Sequence, residues 1–513
     1  MKCEQTAEKY RNDGNLYFRN KKFREALEAY NQSLCFAGSD GVSLAYGNRS
    51  AVYLEVKLFN ECLENIKLAC DHGFPEEKRQ KLFEREQKCK KLMKIVVKNH
   101  EGDSKKFFTL SHAPNSKIPF IVECLQLCES EKFGRYLITN QNLKTGDVIA
   151  IEEPFYKFID AEVIHSRCAN CLKSNNLNLI PCTICTKCEK SFNFSTIFTN
   201  FSFIAAMYCS NACQAKHYKN IHSFECCKKP LPIVLLVVAK MIFIALSITK
   251  SFKKLCKLIK ESKNKTVFDF DLSHPEDISC QQNILTVINS CAMSEHSEIV
   301  MSEKMKEVFD QPPFDSIWET PEERELLIEF FHKQLRIHNT NKLEMGEPTF
   351  ESLPDEKFWY SKTIGGGLCP FASLFNHSCD SNVKRFTVDN KLVFVIARPI
   401  KAGEQLFISY GYSSYRMSKE ERQLQLSKFS FECDCEACVK NYPQLPALPR
   451  IEKNFIEPKF KAFELKKAVE EFRRNCDFIE RNIKHHPSFE TTMLINHNEH
   501  LLHQISRSSI GEL

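Results

Sequence analysis

Paired soft metal ligands between residues 168 and 226 constrain this chain more than any other feature of its sequence. Two or three residues separate the members of each pair, which are Cys168 and Cys171, Cys182 and Cys185, Cys209 and Cys213, and His222 and Cys226. Such spacing lets one tight turn or one helical turn present both side chains to a single ion, and Zn²⁺ takes these ligands in tetrahedral structural sites. The four pairs therefore predict two zinc ions in a small module.

A second set of cysteines is split along the chain. Cys379 ends the stretch Asn376-His377-Ser378-Cys379, and three more follow in "CDCEAC", residues 433–438. Four cysteines in this arrangement predict a metal that closes the intervening stretch into a folded loop. The chain has 25 cysteines and a polar start, "MKCEQTAEKY", with no signal peptide, so thiolate metal sites are favoured over disulfides.

The length and net charge of the chain limit its domain number and its function only broadly. A chain of 513 residues is too long for one core and predicts two to four domains. A net charge of +6 neither requires nor excludes nucleic acid. The zinc-ligand region lacks a recognition helix with Cys₂His₂ spacing, which argues against a sequence-specific DNA-binding protein.

The most apolar span is "LPIVLLVVAKMIFIALSI", residues 231–248, which Lys240 divides into two halves. It is compatible with a membrane span or with a buried core helix. A lysine at mid-membrane costs about 2.5–3.5 kcal/mol, so the core helix is favoured.

Residues 4–97 have helical spacing throughout. Gly14 and Gly47 lie 33 positions apart in two similar small/aromatic patterns, close to the ~34-residue period of tetratricopeptide (TPR) repeats. The simpler alternative is any helical hairpin. A short TPR array usually binds a peptide or packs on a neighbouring domain.

Alternating and helical patterns continue beyond this region. Residues 132–155 alternate apolar and polar positions around Thr145-Gly146-Asp147, which predicts a β-hairpin. We further predict helices over 231–340, strands over 392–411 with a turn at Ala402-Gly403-Glu404, and a helical C-terminus after a Pro-rich joint at 443–449.

The stretch "YCSNACQAKHYKNIHSFEC", residues 208–226, resembles the MYND zinc finger, whose two metal sites interleave. By that resemblance one ion is held by Cys168, Cys171, Cys209 and Cys213, and the other by Cys182, Cys185, His222 and Cys226. The chain departs from the finger in an insertion at 186–203, which predicts a projecting loop or a gene-model error. Cys188 in it offers a competing pair with Cys185, but the resemblance favours Cys182 and Cys185, because a proline precedes the third ligand of the finger as it precedes Cys182.

Three further motifs extend the resemblance. The stretches "TIGGGLCPFASLFNHSCDSN" (363–382), "ISYGY" (408–412) and "FSFECDCEAC" (429–438) are similar to those of SET-and-MYND lysine methyltransferases, and the TPR unit points to the subtype that carries one. The implied fold class is α+β multidomain. It has N-terminal TPR helices, a β-rich SET domain split by a MYND finger and a helical insertion, a Cys-rich post-SET zinc site and a short helical C-terminus.

The resemblance implies these boundaries: TPR-like repeats at 1–97, a linker at 98–120, the first SET part at 121–167, the MYND finger at 168–226, a helical insertion at 227–355, the SET core at 356–432, the post-SET segment at 433–441 and a helical segment at 442–513. Family members carry a longer helical C-terminal domain, so two alternatives are open here, a truncated chain or a genuinely short C-terminal segment.

The implied activity is S-adenosylmethionine-dependent methylation of a lysine side chain in a histone or non-histone protein. Tyr410 matches the catalytic tyrosine. Cofactor contacts are expected from Gly134, Arg135, Tyr136, Asn339, Asn376, His377, Tyr410 and Phe431, and Cys379, Cys433, Cys435 and Cys438 would hold a third zinc ion. A structural Cys₄ site is closed, so this zinc would shape the pocket without activating water.

Three departures from the family raise an alternative function. Tyr136 is bulky where the backbone approaches a ligand, Ser381 replaces a proline, and Phe429 replaces a second channel tyrosine. The alternative is an interaction scaffold with a weak or inactive SET domain. In either case we expect peptide or protein partners through the TPR and MYND regions, no sequence-specific DNA binding, no membrane, and a location in cytoplasm and nucleus.

Overall fold

The computed structural model describes residues 3–96, 107–183, 206–222, 233–293, 306–310, 314–352, 357–458 and 464–510. The chain divides into two compact units. The first comprises residues 1–102 and 158–237 with the last three residues, and the second comprises residues 103–157 and 238–510.

The first unit begins with helices α1 (Glu4–Arg19), α2 (Phe23–Phe36), α3 (Ser39–Glu55), α4 (Phe59–Asp71) and α5 (Arg79–Val96). Each packs against the next in the chain, and α3 also packs against α1 and α5. Gly14 and Gly47 each leave room for an aromatic ring, because a Cβ atom on them would come within 2.5 Å of the Tyr30 ring of α2 and of the Phe74 ring in the loop after α4, respectively. The predicted N-terminal helical region is confirmed, and each of the two glycines lies against an aromatic ring.

The rest of the first unit is short irregular chain with strands β5 (Ile180–Pro181) and β6 (Met207–Tyr208) and helix α6 (Asn211–His217). Buried amides and a guanidinium attach it to the helices. Asn31 Nδ2 donates to the Leu177 carbonyl at 3.0 Å, and Arg49 Nη1 donates to the Leu179 carbonyl at 2.7 Å. The predicted insertion at 186–203 lies outside the described residues.

The second unit is built on short strands: β1 (Leu125–Ser130), β2 (Gly134–Thr139), β3 (Val148–Glu152), β7 (Lys342–Ser352), β8 (Lys357–Leu368), β9 (Asn376–His377), β10 (Val383–Val388), β11 (Lys391–Ile396) and β12 (Phe407–Ile408). Strand β4 (Tyr156–Ile159) lies where the chain passes between the units. The pairs β1–β2 and β7–β8 are antiparallel, as is the three-stranded sheet β10–β11–β3, whereas β12 pairs with β9 in parallel.

The predicted hairpin over residues 132–155 is wrong in its pairing. Gly146 does sit in a turn, at φ +93°, but β2 pairs with β1, and β3 pairs with β11. The chain between β2 and β3 bonds instead to a distant segment, through Leu143 N to the Ile400 carbonyl and Gly146 N to the Ile396 carbonyl, both at 2.8 Å. Alternation identifies a strand and its buried face, but it does not identify the partner strand.

The insertion at 227–355 is helical only in part. It contains helices α7 (Ile233–Thr249), α8 (Phe252–Glu261), α9 (Ile278–Asn289) and α10 (Pro321–Asn341). Strand β7 then begins at Lys342, which corrects the predicted boundary. Gly346 and Pro348 disfavour a helix there, and the segment pairs with β8.

Helix α7 covers most of the apolar span that is compatible with a membrane helix or a core helix. Its side chains from 237 to 242 are buried, Lys240 included. No helix within the described ranges is both long enough and apolar enough to span a bilayer.

Helices α11 (Lys419–Leu426), α12 (Glu436–Val439), α13 (Leu465–Asn482) and α14 (Phe489–Ile510) complete the second unit. Helices α13 and α14 pack against each other, and α14 packs against β10. Phe472 and Leu501 share one apolar cluster with Phe386 and Val393 of the central sheet. This C-terminal pair therefore covers one face of that sheet.

Gly367 of β8 permits a close backbone approach, because a Cβ atom there would lie 2.6 Å from the Tyr156 carbonyl oxygen and 2.5 Å from Pro154 Cβ. We predict that Gly367→Ala lowers the free energy of unfolding by about 1–3 kcal/mol, the usual cost of overpacking. Gly346→Ala in β7 is the control, because its nearest obstacle is the rotatable Ser361 hydroxyl. Chemical denaturation showing equal losses for both variants would contradict this account.

Candidate active site and metal centres

The Asn376–His377 segment is positioned by a short parallel strand pair. Phe407 lies opposite Asn376, Ile408 lies opposite His377, and Ser378 N donates to the Ile408 carbonyl at 3.0 Å. The chain after β12 therefore runs beside this segment and brings Tyr410 to His377, with ring centroids 5.2 Å apart.

His377 connects Tyr410 to Cys379. The Tyr410 backbone N–H donates to His377 Nδ1 at 3.0 Å, and His377 Nε2 lies 3.3 Å from Cys379 Sγ. Burial lowers the pKa of His377 to about 4, so the ring is neutral near pH 7. Because Nδ1 accepts a hydrogen bond, Nε2 carries the proton and donates it towards the sulfur.

The Tyr410 hydroxyl has a fixed direction. It donates to the Phe375 carbonyl at 2.8 Å, and burial raises the pKa of the phenol, which keeps it protonated. The oxygen remains available as an acceptor. Phe429 and Phe431 flank the ring at centroid distances of 5.0 and 6.4 Å.

Asn376 joins this segment to the turn at residues 133–136. Its Nδ2 donates to the carbonyls of Phe133 at 3.1 Å and Arg135 at 3.4 Å. Gly134 adopts φ +58°, a left-handed conformation that glycine adopts without strain. The turn is thus held by an amide from a segment more than two hundred residues away in the chain.

Arg135 and Tyr136 face different neighbours. Arg135 Nη2 donates to the Ser290 carbonyl at 3.2 Å, at the end of α9. Tyr136 is half-buried and meets the Phe133 ring edge-on at 5.8 Å. The bulky ring therefore packs against its own turn.

Hydrogen bonds and ring contacts connect most of the predicted cofactor-binding residues. Asn376 joins the 133–136 turn to His377, and His377 is next to Tyr410 and Phe431. Phe431 is 38% exposed and Phe133 is 39% exposed, so both present aromatic surface. Asn339 lies half-buried in the last turn of α10, and within the described ranges no hydrogen bond or ring contact connects it to this group.

The structure gathers Cys379, Cys433, Cys435 and Cys438 into one group, with all four sulfurs within 4.8 Å of one another. Cys379 Sγ lies 3.9 Å from Cys433 Sγ and 3.6 Å from Cys438 Sγ. Four sulfurs at ~2.3 Å from a tetrahedral Zn²⁺ would lie about 3.8 Å apart. The donor set and its spacing therefore fit a zinc ion.

Arg422 lies behind this cysteine group and is fully buried. Its Nη2 donates to Cys438 Sγ at 3.6 Å, and its Nη1 donates to the Met417 carbonyl at 2.6 Å. Burial alone would lower the pKa of Arg422, but the hydrogen bond and charges of the cysteines outweigh burial and raise it. A fixed positive charge suits four sulfurs that become thiolates around a metal.

A second group comprises Cys168, Cys171, Cys209 and Cys213, again with all sulfurs within 4.8 Å. Cys209 Sγ lies 3.6 Å from Cys171 Sγ and 3.5 Å from Cys213 Sγ. Hydrogen bonds from the other three thiols, first from Cys168, lower the pKa of Cys213. This group also fits a zinc ion.

The remaining predicted zinc site is only partly described. His222 is buried, and Cys182 accepts a hydrogen bond from Gln214 Nε2 at 3.6 Å. Cys185, Cys188 and Cys226 lie outside the described residues, so the choice between Cys182 and Cys188 as the partner of Cys185 stays a prediction.

Glu152 is a site residue that the sequence analysis missed. It ends β3, is only 3% exposed, and accepts hydrogen bonds from the backbone N–H groups of Phe371 at 2.8 Å and Ala372 at 2.9 Å. These amides begin the short turn that leads to Phe375 and Asn376. An acidic residue closing the apolar run "VIAI" was the available signal.

The sequence pattern of the SET domain matches residues 134–411, which is more than half of the chain. The chain belongs to the SET domain family. All three connected elements of the site, the 134–136 turn, the Asn376–His377 segment and Tyr410, lie within the matched SET region.

Curated relatives agree with this family. Protein-lysine N-methyltransferase SMYD4 of Danio rerio is 23% identical over 520 residues, which covers 86% of this chain and 66% of the relative. The Homo sapiens protein of the same name is 22% identical over 576 residues, covering 86% of this chain and 68% of the relative. Histone-lysine N-methyltransferase SMYD3 of Mus musculus is 43% identical over 76 residues, or 15% of this chain and 17% of the relative.

This chain thus spans about two thirds of the length of its SMYD4 relatives. The matches confirm the predicted resemblance to the SET-and-MYND lysine methyltransferases and to the subtype named SMYD4.

Replacing Cys379 tests the first cysteine group. We predict that Cys379→Ser removes one equivalent of zinc from metal-replete protein, because a closed site needs four thiolates. Cys369→Ser is the matched control, since Cys369 is equally buried but outside both groups. Elemental analysis should show a loss in the first variant only; equal zinc content in the two would refute the site.

Replacing Glu152 tests whether its carboxyl group stabilises the turn that begins at Phe371 and Ala372. Burial raises the pKa of Glu152 to about 8, although the Phe371 and Ala372 amides oppose this shift. Glu152→Gln places an NH₂ group against one of the two N–H donors, and we predict a loss of about 1–3 kcal/mol in unfolding free energy at mildly acidic pH.

The deficit of Glu152→Gln should shrink as pH rises. Between the usual carboxyl pKa of 4.5 and about 8, folded wild-type protein retains a proton that the unfolded chain has lost, so wild-type stability falls with pH and the variant lacks this dependence. Glu153→Gln is the control, because the Glu153 carboxylate is exposed and pairs with Lys157. A deficit that does not change across this range in thermal melts would contradict the assignment.

Proposed function

We propose that this chain is a protein-lysine N-methyltransferase that uses S-adenosylmethionine. The observation that supports the proposal most directly is the junction of Asn376, His377 and Tyr410 with the 133–136 turn, inside a matched SET domain. The relatives named as protein-lysine N-methyltransferases support the same activity.

Bound S-adenosylmethionine would supply a methyl group on a positively charged sulfur. Residues 134–136, Asn376, His377 and Phe431 would hold the cofactor, with the exposed face of Phe431 available for stacking on a flat base. Asn376 already fixes the 133–136 turn, so the residues that would hold the cofactor are positioned before it binds. Asn339 is a further proposed contact.

Tyr410 would orient the substrate lysine. Its hydroxyl proton is committed to the Phe375 carbonyl, so the oxygen can accept a hydrogen bond from the lysine amine. Phe429 and Phe431, which flank the Tyr410 ring, would limit the access of water to the bound amine, and this desolvation would lower the pKa of the amine and favour its neutral, nucleophilic form. Orientation and water exclusion would supply most of the rate enhancement, since the reaction needs no separate acid.

Three zinc ions would stabilise the fold. Cys379 with Cys433, Cys435 and Cys438 would hold one, Cys168 with Cys171, Cys209 and Cys213 a second, and Cys182 with Cys185, His222 and Cys226 a third. Each set is closed by protein ligands, so the ions would act structurally.

The first unit would supply partner recognition, with the helical array acting as a TPR repeat and residues 168–226 as a MYND finger. Both would bind peptides or proteins. We also place the protein in cytoplasm and nucleus, because thiolate zinc sites persist in a reducing compartment. Fluorescence microscopy of tagged protein tests this location.

Tyr410→Phe should reduce methyl transfer by roughly 100-fold, the scale on which one preorganised polar group acts. S-adenosylmethionine binding and zinc content should stay nearly unchanged. Tyr412→Phe is the matched control, because the Tyr412 hydroxyl bonds to Lys428 rather than to the Phe375 carbonyl. Transfer is measured with radiolabelled S-adenosylmethionine on proteins of a cell extract, and binding by calorimetry.

The scaffold alternative gives opposite results in this experiment. Zinc-replete wild-type protein that binds no S-adenosylmethionine and labels no protein would sink the enzyme proposal. Equal activity of Tyr410→Phe and Tyr412→Phe would remove Tyr410 from catalysis while leaving the enzyme proposal in place.

A further inference from the structure

A short helix of the second unit carries the unbalanced charge of this chain. Residues 250–265 contain seven lysines and one acidic residue, Glu261, which is an excess of six positive charges. The net charge of the whole chain is also +6, so the rest of the sequence is balanced in sign. The lysines are Lys250, Lys253, Lys254, Lys257, Lys260, Lys263 and Lys265. The excess charge is therefore concentrated on and next to helix α8.

Helix α8 presents its lysines on one side and packs its other side into the protein. Phe252 and Leu255 are buried, whereas the four lysines within the helix are exposed. With 3.6 residues per turn, these four lysines fall within a sector of about 120°. The Ser251 hydroxyl caps the helix and accepts a hydrogen bond from Lys254 N at 3.2 Å. Packing and capping therefore fix the orientation of this surface, which we call the α8 lysine face (Lys253, Lys254, Lys257 and Lys260).

Nearby carboxylates neutralise little of this charge. Glu261 pairs with Lys257 at 4.0 Å, and Asp269 pairs with Lys265 at 3.4 Å. The Lys257–Glu261 pair is exposed, and exposed pairs are weak. Among the residues with described positions, no carboxylate forms an ion pair with the other five lysines. The face thus presents positive charge to solvent, and a partner rich in negative charge would match it.

The chemistry of the face narrows the class of that partner. Phe252 is the only aromatic residue of α8 and is buried, so no ring is exposed there for stacking on the bases of a single strand. Leu255 is likewise buried, so it is not available for insertion into a membrane. Residues 250–265 contain no arginine, and lysine is a point charge without the fork that binds a carboxylate through two hydrogen bonds. Point charges on a fixed helix suit a regular array of phosphates.

We propose that the α8 lysine face binds the phosphate backbone of double-stranded DNA without reading its sequence. Helix α8 has 10 residues and is about 15 Å long. Duplex DNA carries about nine phosphates over that length, or one for each 1.7 Å of its axis. An extended, wholly acidic peptide carries one charge per roughly 3.3 Å, about half that density. The major groove of DNA is wide enough to admit an α-helix, whereas that of duplex RNA is deep and narrow.

This binding goes beyond the proposed methyl transfer and does not depend on it. It needs no base contacts, so it is compatible with the absence of sequence-specific DNA recognition expected from the zinc-ligand spacing. Each lysine that neutralises a phosphate releases a counterion, which changes the slope of log K against log salt by about 0.9. The four lysines of the face, with Lys250 and Lys263 beside it, predict a slope between roughly −3.6 and −5.4.

The test uses the full zinc-replete chain and short fluorescent DNA duplexes of two unrelated sequences, with anisotropy measured over a series of salt concentrations. The double variant Lys253→Gln with Lys260→Gln removes two charges that have no ion pair in the described ranges. We expect its salt slope to be shallower by about 1.8 and its affinity at ~0.1 M salt to fall roughly tenfold or more. Both duplexes should bind wild-type protein equally.

Two further double variants serve as controls. Lys253→Arg with Lys260→Arg keeps both charges, so binding should be retained. Lys391→Gln with Lys401→Gln removes two exposed lysines outside α8 and should leave the salt slope unchanged. Only exposed side chains are replaced, so circular-dichroism melts of all variants should coincide with that of wild-type protein.

Several results would overturn the proposal. One is an equal salt slope for the glutamine variants at 253/260 and at 391/401. Another is a clear preference for one of the two DNA sequences. A third is displacement of the DNA by polyglutamate, duplex RNA or phosphatidylserine vesicles at a lower concentration of negative charge than unlabelled DNA requires, which would assign the face to an acidic protein, to RNA or to a membrane instead.

Discussion

The gathering of Cys379 with Cys433, Cys435 and Cys438 is the interaction on which the candidate active site depends. It joins two segments that are far apart in the chain, and His377 and Tyr410 lie directly beside it. Four thiols this close are compatible with a metal that replaces their protons, and the buried Arg422 supplies compensating charge. Without such a metal, the four sulfurs and the guanidinium would lie close together with little compensating charge or hydrogen bonding, which is unfavourable.

Hydrogen bonds from neutral or buried groups position the residues around this cysteine group. Neutral His377 directs Tyr410 through its backbone, Tyr410 bonds to the Phe375 carbonyl, and Glu152 fixes the turn that carries Phe375. Asn376 then attaches the 133–136 turn. The active-site residues are thus positioned by backbone contacts and buried polar groups, as catalysis by orientation requires.

Local chemistry was predictable from sequence, and long-range pairing was not. The cysteine spacing predicted ligand pairs because each pair is set by a single turn, and the resemblance to the MYND finger implied that Cys168, Cys171, Cys209 and Cys213 share an ion, which agrees with their grouping in the structure. The hairpin expected over 132–155 was wrong, because alternation does not choose between β1, β11 and a nearer partner. Glu152 was missed because its partners are backbone amides, which leave no mark in the sequence of the partner segment.

The most direct test of whether the Cys379 group organises the cofactor site is calorimetric titration of S-adenosylmethionine into the full chain. Three samples are compared: zinc-replete protein, protein from which zinc has been removed, and protein to which zinc has been restored. The account predicts binding to the zinc-replete protein, loss of binding when a chelator removes the metal, and recovery when zinc is returned. Unchanged affinity in the zinc-free protein would contradict it, because the Asn376–His377 segment and Tyr410 would then be positioned without the metal.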